Sequence, residues 1–154
     1  MSIDQRLAEL GITLPEAAAP VAAYVPVVQS GNLLFVSGQV SFAEDGSRIV
    51  GRLGEDMDLE AGQAAARRCG LMVLAQVKAA LGGSLDRVSR IVKLGVFVNS
   101  TGDFTDQPKV ANGASELMQD VFGEAGRHSR AAVGVPSLPL GVAVEVDAIV
   151  EVRG

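Results

Sequence analysis

The sequence predicts a two-layer α+β domain, a mixed sheet with two helices packed on one of its faces. Three observations predict it. Val144, Val146, Ala148, Val150 and Val152 alternate with Glu145, Asp147 and Glu151, the period-two pattern of a half-buried strand. Two longer stretches instead repeat apolar residues at helical spacing: Ala66, Cys69, Val73, Val77 and Ala80 in one, and Val110, Ala114, Leu117 and Val121 in the other. The elements run strand, strand, helix, strand, helix, strand, strand, so each helix leads into a strand that can return to the same sheet by a right-handed crossover.

Taken in order, Ser2 caps a short helix with Ile3, Leu7 and Leu10 on one face and Gly11 at its end. The stretch "TLPEAAAP" has two prolines and reads as an extended connection. Two strands follow, Ala22 to Gln29 and Leu33 to Phe42, joined by the turn "SGN". A polar loop containing "EDGSR" leads to a short strand near Ile49. Asp58 caps the longest helix, Glu60 lies in its positive first turn, and Gly82 and Gly83 stop it. Cys69 falls on the apolar stripe of that helix and reads as core. "RVSRIVKLGVFVNS" is the clearest strand, from Val88 to Asn99. Pro108 starts the second long helix. Two strands close the chain, about 130–135 and 142–152, joined by "PSLPLG".

The composition narrows the functions open to such a domain. With 48% hydrophobic and 20% charged residues the chain is globular, and with only 4% aromatics its core must be aliphatic. A net charge of −5 opposes broad electrostatic capture of nucleic acid. The densest basic run, "GRHSR", is short. One cysteine and one histidine, Cys69 and His128, exclude a His/Cys zinc cluster, and no loop has the ligand spacing of a carboxylate Mg²⁺ or Ca²⁺ site. "MSIDQRLAEL" is unlike a signal peptide, and no apolar run reaches membrane-spanning length, so the expected location is cytoplasmic. With both helices on one face of the sheet, the other face needs a cover. The chain offers no third layer, and a partner subunit is the natural cover.

Three blocks, "AYVPVVQSGNLLFVSGQV", "IVKLGVFVNSTGDF" and "SRAAVGVPSLPLGVAVEVDAIVEV", resemble in order the Rid family of reactive-intermediate deaminases, also called YjgF or endoribonuclease L-PSP proteins. The resemblance covers roughly residues 20–152 and divides the chain into an N-terminal helix with its connection (1–20) and a single Rid-like α+β domain (21–154). It implies a chorismate-mutase-like fold, a homotrimer, and a cleft between subunits in which small 2-imino acids and their enamine tautomers are hydrolysed to 2-keto acids and ammonia without metal or cofactor.

Residue by residue, the resemblance implies that Arg130 grips the substrate carboxylate and Glu145 holds the hydrolytic water. It implies that Tyr24 reaches the cleft, Asn112 stands near its rim, and Gly38 marks a close approach of backbone and ligand. Ala132 occupies a position where the family often has cysteine; the backbone there is implied to do the binding. Gly134 stands where many members have glutamate. The loop "FGEAGRHSR" is one residue longer than usual and carries Arg127 and His128 toward the cleft.

Each of these residues has a plainer alternative. The planar guanidinium of Arg130 matches a carboxylate bidentately, a pairing worth about 1.5–3 kcal/mol, or it pairs with Glu145 across adjacent strands as a salt bridge. Glu145 can orient and deprotonate water, or be a solvated outward carboxylate, as Asp147 and Glu151 are expected to be. Tyr24, the only tyrosine, can donate to substrate or fill a subunit boundary. Asn112 beside Gly113 is a poor choice for a helix interior, which points to close packing at the cleft. His128 reads as an exposed loop residue. Ser37 in "VSGQV" lacks the setting of a nucleophile elbow. The reading of first choice is a cofactor-independent imine deaminase whose partners are a small carboxylate-bearing metabolite and further copies of the chain. The second is a non-catalytic trimer that binds small carboxylates. The third, a ribonuclease, suffers from the acidic balance and the lack of stacking aromatics.

Overall fold

A computed structural model describes residues 1–19 and 23–154. Helix α1 (Ile3–Glu9) begins with a capping box: the Ser2 hydroxyl accepts from the Gln5 amide, and the Gln5 side chain accepts from the Ser2 amide. Leu7 carries α1 into the common core, and Arg6 Nε donates to the Asp120 carbonyl at 2.9 Å. Next come strands β1 (Val27–Ser30) and β2 (Leu33–Val40), helix α2 (Leu59–Ala80), strand β3 (Val88–Asn99), helix α3 (Gln107–Phe122), and strands β4 (Ser129–Val135) and β5 (Val144–Val152). The Asp58 carboxylate caps α2 by accepting from the Ala61 amide at 2.8 Å.

The five strands form one sheet in the order β1-β2-β5-β3-β4. Among the described residues, only β3 and β4 pair as parallel strands; the other strand pairs are antiparallel. Helix α3 therefore links two adjacent parallel strands, whereas α2 crosses from β2 over β5 to β3. Val144, Val146, Ala148, Val150 and Val152 of β5 are buried toward the helices, and Glu145, Asp147 and Glu151 point the other way. The mixed α+β architecture expected from the order of elements is the one observed.

Helices α2 and α3 touch at backbone level. A β-carbon on Gly113 would overlap the Gln63 carbonyl oxygen and stand 2.8 Å from its carbon. This close approach explains the glycine beside Asn112, and it fixes where Asn112 projects.

The boundaries differ from expectation by two residues or more in four places, one being that β5 begins at Val144 and not at residue 142. The expected start of the first strand, Ala22, lies outside the described residues, and pairing begins only at Val27. Pro26 has no N–H to donate, and its carbonyl accepts from the Ser37 amide at 2.9 Å, so Tyr24–Pro26 runs beside the sheet without joining the ladder. Strand β2 stops at Val40 rather than Phe42. The strand expected near Ile49 is reduced to isolated bridges, Phe42 with Arg48 and Val50 with Val142.

The sheet face away from the helices carries apolar side chains in the open. Val28 pairs with Phe35, and Val133 with Phe97, across neighbouring strands. Val28, Phe35 and Val133 are 52%, 42% and 45% exposed, far from a monomer's usual treatment of a sheet face.

Candidate active site

Three of the sequence-predicted residues meet at one cavity of about 350 Å³, lined by Tyr24, Gly38, Val40, Leu140 and Glu145, with Gln76 of α2 also reaching it. The cavity follows from a bulge in β2, where the pairing with β5 shifts register between Val36 and Gln39. The bulge turns Gly38 toward Glu145. Gly38 has no side chain because the Glu145 carboxylate occupies the place where one would stand. Ser37 beside it uses its hydroxyl to donate to the Val25 carbonyl at 2.9 Å, which ties the Tyr24 segment to the strand. Tyr24 itself is half exposed.

Arg130 and Asn112 meet elsewhere, together with a residue that sequence reasoning missed. Arg130 Nη1 donates to Asn112 Oδ1 at 2.8 Å and to Ser115 Oγ at 3.1 Å. Both Nη1 hydrogens are thereby committed within the chain. Among the described residues, Nε and Nη2 make no such bond, so the bidentate edge of the fork stays open to an anion. Ala132, two residues along β4, lies on the same face, opposite the buried Val96. Ser115 in turn contacts His128 Nε2 at 2.8 Å, and His128 Nδ1 contacts the Gly126 carbonyl at 2.7 Å.

This arrangement corrects one expectation and removes one alternative. His128 is not an exposed loop residue but a half-buried one with both ring nitrogens engaged. Arg130 does not pair with Glu145 across adjacent strands, because β3 lies between β4 and β5. The two side chains also leave opposite faces of the sheet: Arg130 pairs with the buried Leu94 and contacts α3, whereas Glu145 faces away from the helices. Within one chain they stand apart, an arginine with an open fork on edge strand β4 and, across β3, the Glu145 carboxylate beside the cavity at the β2 bulge.

The electrostatics of the two halves differ. Burial raises the Glu145 carboxyl above the ordinary carboxylate range, and the neighbouring charge of Asp147 raises it further. Asp147 is also raised by burial, against the pull of a Gly95 backbone hydrogen bond and the Lys93 charge. Neither carboxylate is the freely solvated group expected of Asp147. Glu151 accepts from Ser89 Oγ at 2.7 Å. His128 is lowered by burial, opposed by its bond to Gly126 and helped by the Arg130 charge. Cys69 is fully buried, donates to the Val144 carbonyl at 3.3 Å and has its thiol pushed well above the ordinary range by burial. It is core, as its place on the helical stripe indicated. Among the described residues no three His, Cys, Asp or Glu side chains come together as a metal site requires.

Ser115 was legible in principle, since it stands three residues after Asn112 on an otherwise apolar helix face. So was Gln76, a polar residue on the stripe between Val73 and Val77. It donates to Gln39 Oε1 at 3.3 Å and to the Ala18 carbonyl at 2.8 Å.

A family model described as "YjgF/chorismate_mutase-like, putative endoribonuclease" matches residues 4–152. Protein TCP17 of Trypanosoma cruzi is 57% identical over 96% of this chain and 92% of its own length. A 2-iminobutanoate/2-iminopropanoate deaminase of Dermatophagoides farinae is 30% identical over 92% of this chain and 95% of its own. The crystal structure of protein Atu1372 from Agrobacterium tumefaciens, of unknown function, superimposes with a TM-score of 0.90 at 49% identity, covering 99% of this chain and 94% of that one. Nearly the whole length is matched, helix α1 included, and the chain belongs to the YjgF, or Rid, family.

Proposed function

We propose that the protein is a cofactor-independent hydrolase of small 2-imino acids, working in clefts completed between the subunits of a homotrimer. The observation that carries this reading is the division of the site. Arg130 with Asn112 and Ala132 offers an anion fork on edge strand β4, and Tyr24, Gly38 and Glu145 line a cavity beyond β3, at the bulge of β2. Each half lacks what the other holds. A second copy, bringing its β4 edge to the open face that carries Val28 and Phe35, supplies the missing half and covers apolar surface in the same step. The deaminase among the relatives supports the reaction type.

In such a cleft the substrate carboxylate sits on the free edge of Arg130, which fixes the C=N carbon over the carboxylate cavity. Glu145 accepts a proton from water as the oxygen attacks that carbon. Glu145 returns that proton to the carbinolamine nitrogen, the C–N bond breaks, and Glu145 takes the hydroxyl proton as the carbonyl forms and passes it to the departing ammonia, giving the 2-keto acid and ammonium. Protonated imine is its own electrophile, so the residues present suffice. The raised affinity of Glu145 for protons makes it a stronger base than an exposed carboxylate.

The test is acceleration of 2-iminopropionate or 2-iminobutyrate hydrolysis over buffer at neutral pH, lost in Arg130→Ala with the fold intact. No acceleration by the unmodified protein overturns the enzymatic reading. Thermal stabilisation by pyruvate without turnover would then assign the same arginine to carboxylate binding alone.

A further inference from the structure

The chain of contacts behind Arg130 has a direction. A carbonyl can only accept, so His128 Nδ1, 2.7 Å from the Gly126 oxygen, carries the ring hydrogen. In the neutral ring Nε2 is then an acceptor, and the Ser115 hydroxyl 2.8 Å away donates to it. With its hydrogen turned toward His128, Ser115 presents lone pairs to Arg130 Nη1 at 3.1 Å. Asn112 Oδ1 takes the other Nη1 hydrogen. The series Arg130 to Ser115 to His128 to Gly126 is satisfied at every atom by neutral histidine. A protonated ring would turn Nε2 into a donor and leave the Ser115 hydrogen without its acceptor.

We propose that His128 and Ser115 are positioning residues that hold the Arg130 guanidinium at Nη1 and thereby aim its Nε–Nη2 edge at the substrate carboxylate. This rests on the reading of Arg130 as the carboxylate-binding group. His128 is then no proton donor to substrate, since both of its nitrogens are occupied inside the chain. The charged side chains on the elements around it are Arg130 of β4, Arg90 and Lys93 of β3, Lys109, Glu116 and Asp120 of α3, and Glu124 and Arg127 of the preceding turn. Arg130 is the one whose charge bears on its titration, in the direction that keeps the ring neutral.

Pyruvate binding to the full-length protein tests the proposal, read by calorimetry and by the ring ¹⁵N signals of His128, the only histidine. In the unmodified protein the ring is expected as the Nδ1–H tautomer at neutral pH. Saturating pyruvate, by offsetting the Arg130 charge, raises its titration midpoint. Ser115→Ala is expected to weaken pyruvate binding about tenfold, as for a lost hydrogen bond to a charged group, and to release the Nδ1–H tautomer preference by removing the donor to Nε2. His128→Gln is the second binding variant should Ser115→Ala not fold, and Ser115→Thr is expected to restore binding. Unchanged pyruvate affinity in folded Ser115→Ala or His128→Gln overturns the positioning role while leaving Arg130 in place. Unchanged affinity in Arg130→Ala overturns the underlying reading instead.

Discussion

A β-carbon on Gly38 would overlap Oε2 of Glu145 and stand 2.9 Å from its carboxyl carbon. The overlapping group is the far end of a flexible side chain, not backbone, so the carboxylate can swing aside at small cost to the fold. Gly38→Ala is therefore expected to lower the unfolding temperature little and to cut imine hydrolysis at least tenfold, as displacement of a positioned base should. Circular dichroism melts and steady-state rates on one preparation check it; unchanged rates would remove Glu145 from the reaction.

Glu145 and Asp147 leave the same face of β5 two residues apart, and burial raises both. A carboxyl whose folded pKa lies above its unfolded value binds more protons in the native state, so stability falls as pH rises from the ordinary carboxylate range through the raised value. Asp147→Asn removes the neighbouring charge that, after burial, raises Glu145. It is expected to shrink that fall and to move the acid limb of the rate profile to lower pH. Denaturant midpoints across acid to neutral pH, with the pH–rate profile, check both parts.

Gly113 packs against backbone, where nothing can swing away. A methyl group there meets the Gln63 carbonyl and must part α2 from α3. Gly113→Ala is expected to destabilise the fold by about 3 kcal/mol, at the upper end for overpacking. It also shifts Asn112 from Arg130, so any folded fraction is expected to bind pyruvate more weakly. Urea unfolding and calorimetry measure the two effects.

What the sequence made legible, and what it hid, follows the range of the interactions. Strand β3 is read to both ends, Val88 and Asn99, because a run rich in β-branched residues is a local signal, even though two register shifts break its alternation. So is the core role of Cys69, one position on a helical stripe. The order of strands is not local: nothing between residues 130 and 145 tells that β3 separates β4 from β5, and the two-strand ion pair was a natural but mistaken alternative. The setting of His128 is non-local in the same way. Its burial depends on Ser115, thirteen positions away on another element. Strand β1 is shorter than its apolar run suggests, because Pro26 is a missing donor at its start. The candidate site residues were named by resemblance; their division between two faces needed coordinates.

That division leads to the last expectation. Val28, Phe35 and Val133 cannot be left in water on a stable monomer without cost, since each exposed apolar side chain forgoes roughly 25 cal/mol per Å² of buriable surface. If copies of the chain cover this face and complete the cleft at once, a charge placed there should damage assembly and activity together. Phe35 lies on β2 away from the cavity residues, so Phe35→Asp leaves every proposed site residue in place. Sedimentation of the unmodified protein is expected to give three times the chain mass, and of Phe35→Asp the mass of one chain, with imine hydrolysis lost in step. A fully active monomer would show that Arg130 and Glu145 need not act together.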